Sequence, residues 1–134
     1  MVGQTTPDKV ILGLPNYGYQ WPTTTKDLHA ATLPSAPATG THGAVPLARA
    51  AQLAARYGRH WDADQLVAWT RWRAHACASC PLTWHELYYD DTASMAIKYD
   101  LVNAQGLRGV GFWHLNYGAD RTDFYAQLMA QFGP

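Results

Sequence analysis

The chain has 134 residues, and its ten basic and ten acidic side chains cancel to zero net charge. That balance argues against a nucleic-acid or anionic-membrane partner, and no apolar run approaches the length that spans a bilayer. Six Trp and eight Tyr against only 15% charged residues suit a neutral polar ligand such as a sugar, whose C–H faces pack on rings, although most rings in such a chain belong to its core.

Lys9–Leu14 is a short apolar run rich in β-branched residues, flanked by Asp8 and Pro15, and reads as a buried parallel strand. No secretory leader is expected, because residues 1–10 are polar and lead straight into it. The strand runs on into Gly13-Leu-Pro-Asn-Tyr-Gly-Tyr-Gln-Trp21, ending in aromatic and amide side chains. Residues 22–44, rich in Pro and Thr, read as a long loop. Val45–Tyr57 is expected to be a helix, with Pro46 in its first turn, Leu47, Ala50, Ala51, Ala54 and Tyr57 on one face, and Gly58 as its stop.

Residues 66–74 and 82–89 read as two strands around Cys77-Ala-Ser-Cys80, a β-hairpin. With Ala78-Ser79 as the turn, Arg71 faces Glu86, Trp69 faces Tyr88 and Arg73 faces Trp84. These are an ion pair, an aromatic pair and a cation–π pair in one register, with Pro81 where no ladder N–H is needed. Alternation puts Trp69 and Trp72 on opposite faces, so one of these faces is core. Asp90 or Asp91 can cap a helix from Thr92 to about Gln105, carrying Met95, Ile97, Leu101 and Val102 and ended by Gly106. Gly109–Leu115 is a second parallel strand. Asp120 or Thr122 caps a last helix with Phe124, Leu128 and Phe132 at four-residue spacing.

Glu86 is the one glutamate of the chain. With Arg71 opposite, its pKa is expected to fall, which suits a structural role better than a general acid. Asp90-Asp91 and Asp62-x-Asp64 are paired carboxylates that capping and turn roles explain. His75-x-Cys77-x-x-Cys80 with His85 has zinc-type ligands, but one short motif with no finger-spaced partner ranks a disulfide or free thiols above a metal. No metal and no cofactor are expected.

Three segments together resemble the C-terminal part of family 18 glycoside hydrolases, in the bacterial branch that acts on peptidoglycan and includes spore-cortex N-acetylglucosaminidases. They are residues 13–21, with Gln20 where that branch has Asp; His85-Glu-Leu-Tyr-Tyr-Asp-Asp91 followed by Ser94 and Lys98; and Arg108 through Trp113. The resemblance implies an α/β fold: the last two βα units of a (β/α)8 barrel in residues 1–22 and 90–134, with a small α+β insertion carrying the hairpin at 45–89. A complete barrel takes roughly 250 residues, so residues 1–134 would form one partial-barrel domain. It also implies that Trp113 is the floor under a sugar, that Tyr17, Tyr19 and Asn16 contact the glycan, and that Trp21 is a packing anchor. The partner would be an amino-sugar glycan, peptidoglycan or chitin, at an extracellular or cell-envelope location. Catalysis in that family is substrate-assisted, with a Glu on an earlier strand as acid. That strand is absent from these residues, so no catalytic residue is assigned. Two functions stand: the substrate-binding part of such a hydrolase, or a non-catalytic carbohydrate-binding or assembly module. Either way the two barrel strands lack outer neighbours, and association through those edges, with a further barrel segment or a second copy, is expected in preference to cover by the 22–44 loop.

Overall fold

The computed structural model describes residues 5–118 and 121–133. After a 3-10 turn at Pro7–Lys9, strand β1 (Ile11–Pro15) runs parallel to β7 (Gly109–Trp113), with Ile11 opposite Gly109 and Pro15 opposite Trp113. Between them lies a five-stranded antiparallel sheet of β2 (Tyr17–Thr23), β3 (Gly43–Pro46), β4 (His60–Asp62), β5 (Val67–His75) and β6 (Leu82–Tyr89), in the order β3-β2-β6-β5-β4. Helix α1 (Leu47–Tyr57) follows β3, α2 (Thr92–Ala104) follows β6, and α3 (Thr122–Phe132) closes the described chain.

The hairpin register is the expected one. Arg71 pairs with Glu86, Trp69 with Tyr88 and Arg73 with Trp84, and the Arg73 guanidinium lies 5.4 Å from the Trp84 ring. Pro81 precedes the first ladder residue, Leu82. Cys77 and Cys80 form a disulfide across the turn, with Cα atoms 4.9 Å apart.

The sequence reading differs from the structure at β2. Residues 17–22, assigned above to the barrel piece, belong to the antiparallel sheet, and the loop is correspondingly shorter. Strand β2 packs so closely on β6 that a Cβ at Gly18 would lie 2.6 Å from the Tyr88 carbonyl oxygen. Only glycine permits that approach.

One side of the five-stranded sheet packs on α1, burying Leu47, Ala50, Leu53 and Ala54 against Ala68, Leu87 and Tyr89. Leu53 joins the buried face, and Tyr57 instead stacks on Trp72 with 6.0 Å between centroids. Helix α2 buries Met95, Tyr99 and Val102, while Ile97 and Leu101 face outward. It ends at Gly106, whose φ of 61° is the left-handed conformation of a helix stop. Asp91 is its cap: Oδ1 accepts the N–H groups of Ala93 (3.0 Å) and Ser94 (3.1 Å), and Ser94 Oγ accepts the Asp91 N–H. Asp90 instead takes the Lys98 ammonium. In α3, Phe124 is buried and Leu128 and Phe132 pack beside it. Thr122 is its first residue and Arg121 its unbonded cap position, while Asp120 lies outside the described residues. No helix among the described residues is long and apolar enough to cross a membrane.

Candidate functional site

β1 and β7 are each two-sided. Leu12, Leu14, Val110 and Phe112 pack into the core. Ile11, Gly13, Pro15, Gly111 and Trp113 alternate with them and, together with Leu14, Tyr17 and Phe112, line an open cleft of about 480 Å³. Gly13 leaves open space within it, while the Ile11 side chain lies beside Gly111. Trp113 stands at the C-terminal end of β7 and is 72% exposed, the largest exposure of any large apolar side chain described. A ring that open contributes little to the core and has its face free for a ligand.

Behind Trp113 the backbone is pinned. The Asn16 N–H donates to the Trp113 carbonyl at 2.7 Å, the Asn16 amide reaches the His114 carbonyl at 3.5 Å, and the Leu47 N–H donates to the Asn16 carbonyl at 3.0 Å. Asn16 is fully buried, and its Oδ1 has no hydrogen-bond partner among the described residues. It therefore lies beneath the cleft and holds the ends of β1, β7 and α1 together.

Tyr17 is half-buried and lines the Trp113 cleft. It also lines a second recess of about 210 Å³ with Tyr19, Val67, Tyr88 and Asp90. Pro15 and Tyr17 line both recesses. The Tyr19 ring lies 4.8 Å from Trp21 and 6.3 Å from His42. Of the four residues named from sequence, Trp113 lines the first recess, Tyr19 the second and Tyr17 both, while Asn16 is buried behind the strand ends. Tyr88 and Asp90 were not assigned to the site. The signal for Tyr88 was in the hairpin register, but its neighbour across the other edge, Tyr19, becomes visible only once Tyr17–Thr23 is recognised as a strand.

The electrostatics differ from expectation at Glu86. Arg71 sits opposite, yet its guanidinium donates to the Lys26 carbonyl and forms no ion pair with the carboxylate. Burial therefore dominates and pushes the Glu86 carboxyl up to about 7, against the pull of the Ala30 N–H, His29 and Arg71. Asp62 behaves oppositely. Burial raises its pKa, but the Gln65 N–H, His29 and the Asp64 N–H together hold it below the usual carboxylate range. Its Oδ1 accepts the Asp64 and Gln65 N–H groups at 3.0 and 3.1 Å, the turn role expected for it. Neither carboxyl lines the Trp113 cleft, where Tyr17 is the one ionisable side chain among the described residues. What lines that cleft can stack on a ring face and exchange hydrogen bonds with hydroxyls. No group of three or more His, Cys, Asp or Glu among the described residues could hold a metal ion.

Against known proteins, the model for glycosyl hydrolases family 18 matches residues 2–118. The di-N-acetylchitobiase of Homo sapiens is 26% identical over 123 residues, covering 82% of this chain and 30% of the human protein. The spore cortex-lytic enzyme SleL of Bacillus megaterium QM B1551 is 29% identical with a TM-score of 0.61, covering 84% of this chain and 23% of that one. A chitinase from Chromobacterium violaceum shares the fold with a TM-score of 0.68 at 24% identity, over 99% of this chain and 36% of its own. The chain thus spans about a quarter to a third of the length of these relatives.

Proposed function

Because this chain belongs to glycosyl hydrolases family 18, we propose that it is the C-terminal, substrate-binding part of a hydrolase acting on N-acetylglucosamine-containing glycans. In this reading β1 and β7 are the last two strands of a (β/α)8 barrel, and the five-stranded sheet with α1 is the insertion between them. The cleft over Gly13 and Gly111 is then a strip of the barrel mouth, where parallel strands deliver ligand-binding groups at their C-terminal ends. The single observation that carries the proposal is Trp113, an exposed ring at that end of β7 beside an open cleft.

Trp113 packs under a pyranose ring, and the Tyr17 and Tyr19 hydroxyls meet its polar rim. Asn16 positions the strand ends. The acid that cleaves the glycosidic bond comes from outside these residues. The names of the relatives point to amino-sugar substrates: an N-acetylated chitobiose for the human protein, the spore cortex for the bacterial one.

A second reading, a carbohydrate-binding or assembly module, is favoured by the strand edges. Among the described residues β1 and β7 pair only with each other, so each keeps an unpaired outer row of N–H and C=O groups that another segment can pair with. Calorimetric titration with the N-acetylglucosamine tetramer, beside cellotetraose as the sugar without acetamido groups, tests the binding that both readings require. Heat of binding for the first and none for the second is expected. Silence with both refutes the proposal.

A further inference from the structure

Across the five-stranded sheet the register aligns four rings in one row perpendicular to the strands: Tyr19 opposite Tyr88, Tyr88 opposite Trp69, Trp69 opposite His60. Centroids lie 6.0 Å apart for Trp69 and Tyr88, and 4.8 Å for His60 and Trp69. The row starts at Tyr19, in the recess that shares Pro15 and Tyr17 with the Trp113 cleft. Its far half is covered, for Trp69 is 4% exposed.

The segment that follows β2 crosses this face from Tyr88 of β6 to Asp62 of β4. Residues 24–33 double back on themselves, with the Thr24 N–H donating to the Ala31 carbonyl at 2.9 Å and the Leu33 N–H to the Pro22 carbonyl at 2.8 Å. They are fastened to the sheet at four points. The His29 ring stacks on Tyr88, and the His29 backbone N–H donates to the Tyr88 hydroxyl at 3.3 Å. His29 Nε2 meets Asp62 Oδ2 at 2.5 Å, Arg71 donates to the Lys26 carbonyl, and the Ala30 N–H points to Glu86.

We propose that residues 24–33 are a strap that closes over the far half of the aromatic row in acid and releases it towards alkaline pH, so that pH sets the length of ring surface open to a glycan. The link to a glycan rests on the functional reading above; the strap itself does not.

The reason lies beneath the strap. Glu86 is 3% exposed. It is faced by Asp27 and His29 from the strap, by Arg71 from β5, by Tyr88 on its own strand and, through His29, by Asp62 of β4. Its neighbour on β2, Trp21, carries no charge. Buried there, the carboxyl is stable as the neutral acid, with its pKa raised to about 7. Once ionised it is repelled by Asp27 and gains by reaching water, which the open strap allows. Because the closed-state value lies above the ordinary one, closure is fully favoured at acid pH and weakens as pH rises through about 7, by roughly tenfold to a hundredfold in the opening equilibrium.

The chain has three lysines, Lys9, Lys26 and Lys98, and one lies in the strap. Cleavage by a lysine-specific protease after Lys26, divided by cleavage after the exposed Lys9, cancels the protease's own pH dependence. Between pH 5.5 and 8 the ratio should rise roughly tenfold or more in the unmodified chain. It should stay low throughout in Glu86→Gln, and rise less in Asp27→Asn, an exposed change that serves if the first variant fails to fold. A flat ratio in the unmodified chain, or an undiminished rise in both variants, overturns the strap. Affinity for the N-acetylglucosamine tetramer should be several-fold tighter at pH 8. Equal affinity at both pH values with a rising ratio overturns the control of ring surface. A rising ratio with no binding at either pH upholds the strap and refutes the glycan-binding reading instead.

Discussion

Replacing Asp91 by Ala should remove the cap that starts α2, the helix lying against β7 beneath the candidate site. Two backbone N–H groups lose their acceptor at 3.0 and 3.1 Å, a loss that typically costs about 1 kcal/mol. The same carboxylate holds Arg59 Nε at 2.6 Å, but that guanidinium is 43% exposed, so solvent screening limits the pair to less than about 1 kcal/mol. The sum, about 1.5–2 kcal/mol, corresponds to a fall in Tm of roughly 6–8 °C for a chain of this size. Asp91→Asn keeps a capping oxygen and should lose only the ion-pair share. Burial raises the Asp91 pKa, but Arg59 and the Ser94 and Ala93 N–H groups outweigh it and hold the carboxyl below its ordinary value. A depressed folded-state pKa contributes stability above the ordinary value and loses it as pH falls through the folded one. The gap between the unmodified chain and Asp91→Ala should therefore narrow below about pH 4. Thermal unfolding followed by circular dichroism at pH 7 and pH 2.5 measures both. A gap below 1 °C at pH 7, or one unchanged at pH 2.5, would refute the capping argument.

Phe124→Ala removes a side chain that is 1% exposed and meets Phe112 edge-on at 5.1 Å; a loss of about 3–5 kcal/mol in chemical denaturation is expected, and a loss below 1 kcal/mol would mean that α3 is not docked on β7. The unpaired outer edges of β1 and β7 should make the isolated chain associate in a concentration-dependent way by light scattering. A monodisperse monomer at high concentration, with both strands protected in hydrogen exchange, would overturn that expectation.

Local signals in the sequence were enough for β1, the β5–β6 hairpin, α2, β7, α3 and the body of α1, because each carries its own periodicity, cap or turn; Val45 and Pro46, expected in that helix, belong instead to β3, and the helix starts at Leu47. Strand β2 was not legible. Its sequence holds Gly18 and Pro22, both poor strand residues, and its pairing partners β3 and β6 lie far along the chain. Pro22 is tolerated because β3 pairs only with Tyr17–Gln20, leaving no ladder partner on that side for the N–H it lacks. The three-residue β4 has no pattern to read. At the site, Trp113, Tyr17 and Tyr19 follow from motif and strand position, whereas the burial of Asn16 depends on the long-range junction of β1, β7 and α1. The pKa of Glu86 was misjudged for the same kind of reason: cross-strand register gave it Arg71, but the folded-over strap supplies burial and diverts Arg71 to the Lys26 carbonyl.

The most direct test of the account is Trp113→Ala, titrated with the N-acetylglucosamine tetramer beside the unmodified chain. Little more than a quarter of Trp113 is covered, and at about 200 Å² for the side chain that is worth roughly 1–1.5 kcal/mol of stability. The variant should therefore stay folded, with a Tm within about 6 °C of the parent. Its affinity should fall at least roughly tenfold, the loss of a stacking platform for one sugar ring. Unchanged affinity in a folded variant would contradict the assignment of Trp113, and with it the glycan-binding face.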